Sequence, residues 1–305
     1  MKSWSRQDLE SIECMDEHEL AGLVASLPAH DGAFERCAII NARCGRCTED
    51  CRFCGQSVLS GSLVAGWDLV SAEEVSAAAR DARAWGVEYF GIVISGRGPE
   101  EGDVPRLVEM IRAMVSAGDM PRPCLSPGIC SRDTLRLFRE AGLVRLHHNL
   151  ETSENFFHNI CSTHSWQERY ETLLAAREVG LEICCGGLFG LGESFRDRVD
   201  LAVTLAKLSP ESVPVNLYTP VPGARMEGLT PLTSREILRI LVMLRAALPG
   251  SMIRLCGGRA LLGDSLPAAL TDVGVNGLMT GNYLLTRGST YESDVEMLAR
   301  LGLLV

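Results

Sequence analysis

From about residue 35 onward, a short apolar run followed by an amphipathic helical stretch recurs about eight times without a break. This alternation constrains the fold more than any single motif does. Strands separated by helices pair in parallel, because a parallel pair needs a long crossover that an antiparallel pair does not. The strand-like runs lie near 36–41, 88–94, 122–126, 143–149, 181–188, 212–218, 251–256 and 275–280. They predict an α/β chain, a (β/α)8 TIM-type barrel over 35–305, with a short N-terminal helical extension over 1–34.

The helices announce themselves by their caps. Ser71 with Glu74, and Ser165 with Glu168, read as capping boxes, and Gly86 and Gly180 as the matching stops. Val75, Ala78, Ala79, Ala82 and Trp85 form the apolar stripe of the first helix. A third helix, Ser131 to Gly142, carries Leu135, Leu137, Phe138 and Ala141.

Reading the strands with period 2 separates two faces. One face collects Cys37, Asn41, Cys124, Ser126, His147, Asn149, Glu151, Cys184, Asn216, Tyr218, Arg254 and Cys256. An ordinary barrel fills its centre with Val, Ile and Leu. A polar, sulfur-rich inner face predicts a ligand-holding cavity, since buried polar groups need partners. Cys185 falls on the opposite face, against a helix.

Charge narrows the partners. Lys plus Arg number 29 against 39 Asp plus Glu, a formal charge of -10, which argues against nucleic-acid binding because phosphate contacts need a basic face. No apolar run is long enough to span a bilayer, and the N-terminus lacks a secretory h-region, so a cytoplasmic protein is expected. Twelve cysteines are many for such a compartment, where metal or redox chemistry explains thiols better than disulfides do.

The sharpest local signal is Cys44-Gly-Arg-Cys47-Thr-Glu-Asp-Cys51-Arg-Phe-Cys54, directly after the first strand. Zinc ribbons keep their two CxxC pairs a dozen or more residues apart. Here three residues separate them, which is cramped for a tetrahedral site. Cys47-x3-Cys51-x2-Cys54 instead has the spacing of a loop offering three thiolates to a [4Fe–4S] cube. In that position it resembles the radical S-adenosylmethionine (SAM) enzymes, which leave one iron open for SAM. Cys44 lies outside the pattern.

The wider wording, Glu49-Asp50-Cys51-Arg52-Phe53-Cys54-Gly55-Gln56-Ser57, resembles the biotin synthases within that superfamily. The similarity continues in His148-Asn149-Leu150-Glu151-Thr152-Ser153, in Gly186-Gly187-Leu188-Phe189-Gly190-Leu191-Gly192-Glu193, in Val213-Pro214-Val215-Asn216 and in Arg254-Leu255-Cys256-Gly257-Gly258-Arg259. The resemblance implies sulfur insertion between the methyl and methylene carbons of dethiobiotin. It further implies that Phe53 and Leu188 flank the adenine of SAM and that Glu151 takes its ribose hydroxyls. Asn149 would sit between cofactor and substrate, with Asn216 on the substrate. Ser95 and Gly96 are expected to expose backbone to the methionine end of SAM.

The family draws sulfur from an auxiliary iron–sulfur cluster deeper in the barrel. Cys124, Cys184 and Arg254 match its ligand positions. Where better-known members carry a further Cys on strand two, this chain has Gly91, inside wording that resembles an anaerobe-type group. Cys37 on strand one is expected to replace that ligand, with Cys256 a possible neighbour and the nuclearity open. An electron donor such as a flavodoxin or ferredoxin, and a homodimer, are implied as well. The alternative is a related radical SAM enzyme of the hydrogenase-cofactor or methylornithine type. A metal-stabilised binding module without turnover is the reading from a different class. Cys14, Cys130 and Cys161 read as small hydrophobes or helix-end residues, His147 as cavity wall, and His158 and His164 as loop residues without a partner pattern.

Overall fold

The computed structural model describes residues 4–27, 34–282 and 288–304. Of the expected 1–34 extension it therefore covers 4–27 and 34. Two helices, Arg6–Ser11 and Glu17–Ser26, lie there and precede the first strand. Leu9, Ile12 and Leu23 bury themselves in the core formed with the helices at 195–208 and 234–247.

Among the described residues nine strands follow: β1 Glu35–Arg43, β2 Tyr89–Ile94, β3 Arg122–Ser126, β4 Arg145–His147, β5 Glu182–Cys184, β6 Gly187–Phe189, β7 Ser212–Leu217, β8 Met252–Leu255 and β9 Gly277–Met279. All pair in parallel, and the β5–β7 pairing at Cys184 and Ser212 closes the ring. β5 and β6 are two halves of the fifth barrel strand, so the result is an eight-stranded barrel ringed by helices. The expected single run over 181–188 breaks at Cys185-Gly186. A Cβ on Gly186 would lie 2.0 Å from the Pro214 carbonyl oxygen, so only glycine lets the fifth strand step sideways onto β7 there.

The capping boxes at Ser71/Glu74 and Ser165/Glu168 are both formed, starting helices Ala72–Ala84 and Trp166–Glu178. Ser131 caps Arg132–Glu140 through Thr134 N. Two members of the expected stripes face out instead. Leu137 is 48% exposed, because it lies two residues from Leu135 and so on another side of the helix. Trp85 falls at the C-cap, 39% exposed, and stacks on Tyr291.

Candidate active site

Because every strand runs the same way, the loops after the strands gather at one mouth and the strand starts form the opposite floor. A cavity of about 360 Å³ opens between them. Of the face read by alternation, every member except Asn41 lines it.

At the mouth, the 44–57 loop is held by its own acids and amides. Asp50 receives Ser162 N and Oγ at 2.8 and 2.6 Å and Thr163 N at 3.1 Å. Those donors hold its carboxyl well below the usual range. Glu49 accepts Thr163 Oγ1 at 2.8 Å and meets His164 Nδ1, while Gln56 accepts Gly45 N at 3.0 Å. Cys47, Cys51 and Cys54 are all half-buried, and only Cys54, with Phe53 and Gln56, reaches the cavity wall. Burial pushes the Cys54 thiol up to about 11, against a backbone N–H from Gln56. Backbone N–H groups of Glu49 and Gly96 point at Cys47 sulfur.

Gly96 has a left-handed backbone (φ 122°), and Ser95 is engaged within the protein. Its Oγ donates to Gly45 O at 2.8 Å, and its carbonyl accepts Arg43 Nε and Nη2 at 3.0 and 2.8 Å. Neither residue lines the cavity.

Midway down lie two asparagines. Asn149 Oδ1 accepts Gly186 N at 3.2 Å, and Asn216 Oδ1 accepts Gly257 N at 3.2 Å while its Nδ2 gives to Gly187 O at 3.4 Å, which fixes both amides beside the fifth strand. Glu151 holds a left-handed φ of 67°, a conformation a non-glycine residue adopts at a cost of roughly 1 kcal/mol or more. Burial raises its carboxyl while Arg169 and Asn149 draw it back. Leu188 from β6 faces the same space.

Deeper, four thiols and a guanidinium converge from four strands, Arg254 and Cys256 both at β8. Cys37, Cys124, Cys184 and Cys256 are 2–9% exposed, and Arg254 is 3% exposed. Burial raises every one of these thiols, Cys256 to about 12. The same burial brings Arg254 down to about 10, with its Nη1 3.9 Å from Cys184 sulfur. His147 Nδ1 lies 3.3 Å from that sulfur. Gly91, in register between Ile39 and Cys124, leaves the strand-two position without a side chain, and a Cβ there would meet Ile39 Cγ2 at 3.0 Å.

Below the thiols a charged plug closes the barrel. Arg145 reaches Glu35 at 3.0 Å and Glu182 at 2.9 Å, lies 3.5 Å over the Tyr89 ring, and shares Glu35 with Arg254. The alternation that found His147 and Asn149 also passes through Arg145, so period 2 was the missed signal. Arg169 had none. It rises from the helix Trp166–Glu178 to give Nε to Asn149 O at 2.6 Å and Nη2 to Glu151 at 3.3 Å.

Two expectations are corrected here. Cys161 packs in the hydrophobic core as expected but is more than a small hydrophobe, since its sulfur also touches Cys51 sulfur at 3.8 Å and His164 Nδ1 at 3.3 Å. His164 is a buried partner of Glu49 and not a solitary loop residue. Cys185 packs in the hydrophobic core, and Cys14 is exposed at the end of a 3₁₀ turn.

The donor spacing tests what these cysteines can hold. A tetrahedral ion with thiolate bonds of about 2.3 Å keeps its sulfurs about 3.8 Å apart. Among the described residues, neither the three loop cysteines nor the four inner ones form a set with every donor atom within 4.8 Å. As placed, neither group closes on a single shared ion.

Residues 43–205 match the radical SAM superfamily, and 214–304 match the Biotin and Thiamin Synthesis associated domain. A cysteine loop at the mouth of a parallel barrel, within a superfamily match covering more than half the chain, places it among the radical SAM enzymes. The solved methylornithine synthase superposes with TM-score 0.84 at 20% identity over 99% of this chain and 94% of that one. An FeFe-hydrogenase maturase from Carboxydothermus hydrogenoformans gives 0.83 at 17% identity, over 99% and 75%. At such identities these share the fold. The biotin synthase of Pelotomaculum thermopropionicum is 44% identical over 292 residues, 95% of this chain and 90% of that protein. That of Thermodesulfovibrio yellowstonii is 42% identical over 297 residues, 96% and 93%. The chain belongs to the biotin synthase family.

Proposed function

We propose that this chain inserts sulfur into dethiobiotin and belongs to the group of biotin synthases in which a strand-one cysteine stands in for the missing strand-two ligand. The observation that carries the reading is a single cavity reaching from the cysteine loop, past two amide-bearing walls, to a floor of four buried thiols and Arg254. A [4Fe–4S] cluster on Cys47, Cys51 and Cys54, with SAM, would supply the radical chemistry that breaks unactivated C–H bonds, which no side chain can do.

The chain's own residues bind and orient. Glu151, held up by Arg169, is the acceptor for ribose hydroxyls, with Phe53 and Leu188 as apolar walls for the adenine. Gly96 gives the methionine end of SAM its backbone approach, and Ser95 braces that turn. Asn149 and Asn216 present amides that suit the cyclic urea of dethiobiotin, which needs both donors and acceptors. Cys37, Cys124, Cys184 and Arg254 hold the sulfur-bearing auxiliary cluster, with Cys256 beside them. Residues 35–305 act as one barrel, with the helices before it as an extension. A reduced flavodoxin or ferredoxin delivers electrons, and the enzyme works as a cytoplasmic homodimer; the twelve unpaired cysteines suit a reducing compartment. No helix of the described residues is long and apolar enough to cross a membrane.

The test is anaerobic. The iron- and sulfide-reconstituted chain is incubated with SAM, reductant and dethiobiotin, and products are quantified by mass spectrometry. Biotin together with deoxyadenosine and methionine is the expected outcome. Deoxyadenosine without biotin would transfer the chain to the methylornithine or hydrogenase-cofactor type of chemistry.

A further inference from the structure

Beside the mouth loop lies a ligand set that shares one member, Cys51, with that loop and none with the floor. Among the described residues, Cys51, Cys161 and His164 are the one group of three whose donor atoms all lie within 4.8 Å. The two sulfurs are 3.8 Å apart, the edge of a tetrahedral thiolate site, and Cys161 sulfur to His164 Nδ1 is 3.3 Å. Cys161 is 4% and His164 7% exposed.

The sequence separates Cys51 from Cys161 by 110 residues, yet three anchors hold them together. Asp50 clamps the backbone N–H groups of Ser162 and Thr163. Arg52 N donates to Ile160 O at 2.9 Å, and Arg97 Nη1 reaches Thr163 O at 2.6 Å. The pocket is thus built, with Cys51 the only one of its ligands shared with the cysteine loop. Soft thiolates plus imidazole are a zinc-class donor set.

We propose that, before the cluster is assembled, Cys51, Cys161 and His164 bind one zinc-class divalent cation with the fourth position open, and that this ion competes with cluster loading. Coordination through Nδ1 replaces the proton that this nitrogen now shares with Glu49. It also moves the ring proton to Nε2, where Arg169 Nη1 now sits at 3.2 Å as a donor. That contact must open, so the ion is held more weakly than in a closed structural zinc site. The consequence for loading rests on the reading of Cys51 as a cluster ligand; the existence of the site does not.

The experiment titrates the cluster-free full-length chain with Co²⁺, whose visible spectrum reports tetrahedral thiolate coordination, and then displaces it with Zn²⁺. Wild type is expected to take up one ion. Cys161→Ala, with Cys161→Ser as the volume-preserving check, should weaken uptake at least about 100-fold, as loss of a ligand exceeds loss of an outer-shell partner. Cys54→Ser should keep the cobalt spectrum while losing cluster uptake. The reverse pattern, loss in Cys54→Ser and retention in Cys161→Ala, would put the ion on the loop cysteines and overturn the site, as would no uptake by wild type.

In a second arm, zinc is added before iron–sulfide reconstitution and cluster formation is followed by absorbance. Zinc should slow loading of wild type and leave Cys161→Ala unaffected; equal loading with and without zinc overturns the competition. If zinc-free wild type forms no cluster at all, the cysteine-loop reading fails, while the cobalt arm still decides the site.

Discussion

The mouth loop and the thiol floor use the same residue type and differ in almost everything else. The mouth cysteines come from eight consecutive residues, half-buried, on a loop clamped by hydrogen bonds from Ser162 and Thr163. The floor cysteines come one each from different strands, nearly sealed from solvent, and are fixed by barrel register. A contiguous loop can exchange ligands and admit solvent-borne reactants. A register-fixed floor cannot move one thiol without moving a strand. That difference suits an open reaction centre above and a guarded sulfur store below.

The most forceful way to break the comparison is to remove one sulfur from each region. Cys54→Ser should drop deoxyadenosine and biotin to background while iron bound at the floor survives, as counted by iron and sulfide analysis. Cys37→Ser should do the opposite, losing floor iron and biotin while deoxyadenosine formation continues. Unchanged iron and sulfide in Cys37→Ser would remove that residue from the ligand set.

The next effect is on the plug beneath the floor. Arg145→Ala leaves Glu35 with Arg254 alone and Glu182 with Arg122 alone, and should cost about 2 kcal/mol in denaturant unfolding, less than a buried charge left wholly unpaired. An equal loss from Arg132→Ala, whose partner Glu178 is exposed, would show that the plug is nothing special.

The smallest effect is in pH. Burial, with help from Arg169 and Arg145, lowers His147 to about 4, and His148 lies well below its ordinary value. The unfolded chain therefore binds more protons than the folded one once pH falls below about 6.5, and stability is lost on acidification. For His147 the loss should be on the order of 2 kcal/mol between pH 7 and 5, read from unfolding midpoints of the cluster-free chain. His147→Gln should flatten that portion of the profile.

Much of this was legible in the chain because it is local. Caps at Ser71, Ser131 and Ser165 bond three residues ahead, and Cys47, Cys51 and Cys54 fall within one short loop. Alternation placed Cys37, Cys124, Cys184 and Arg254 on one wall, since successive strand side chains take opposite faces. The reading failed in two places, one local and one not. Leu137 was counted into a stripe it cannot share with Leu135, and the fifth strand breaks at Gly186 because of a neighbour, Pro214, that lies 28 residues further along.

By itself, then, the sequence determined the alternating architecture, the loop that gathers three cysteines and the face that turns inward, since each depends on periodicity or spacing within a few residues. Only the closed barrel decided that Arg145 seals the floor, that Arg169 reaches Glu151, and that Cys161 and His164 stand under Cys51. Those contacts join residues as close as 18 positions, Arg169 and Glu151, and as far as 110, Cys51 and Cys161, and no period in the chain encodes which distant side chains ring closure and loop clamping bring face to face.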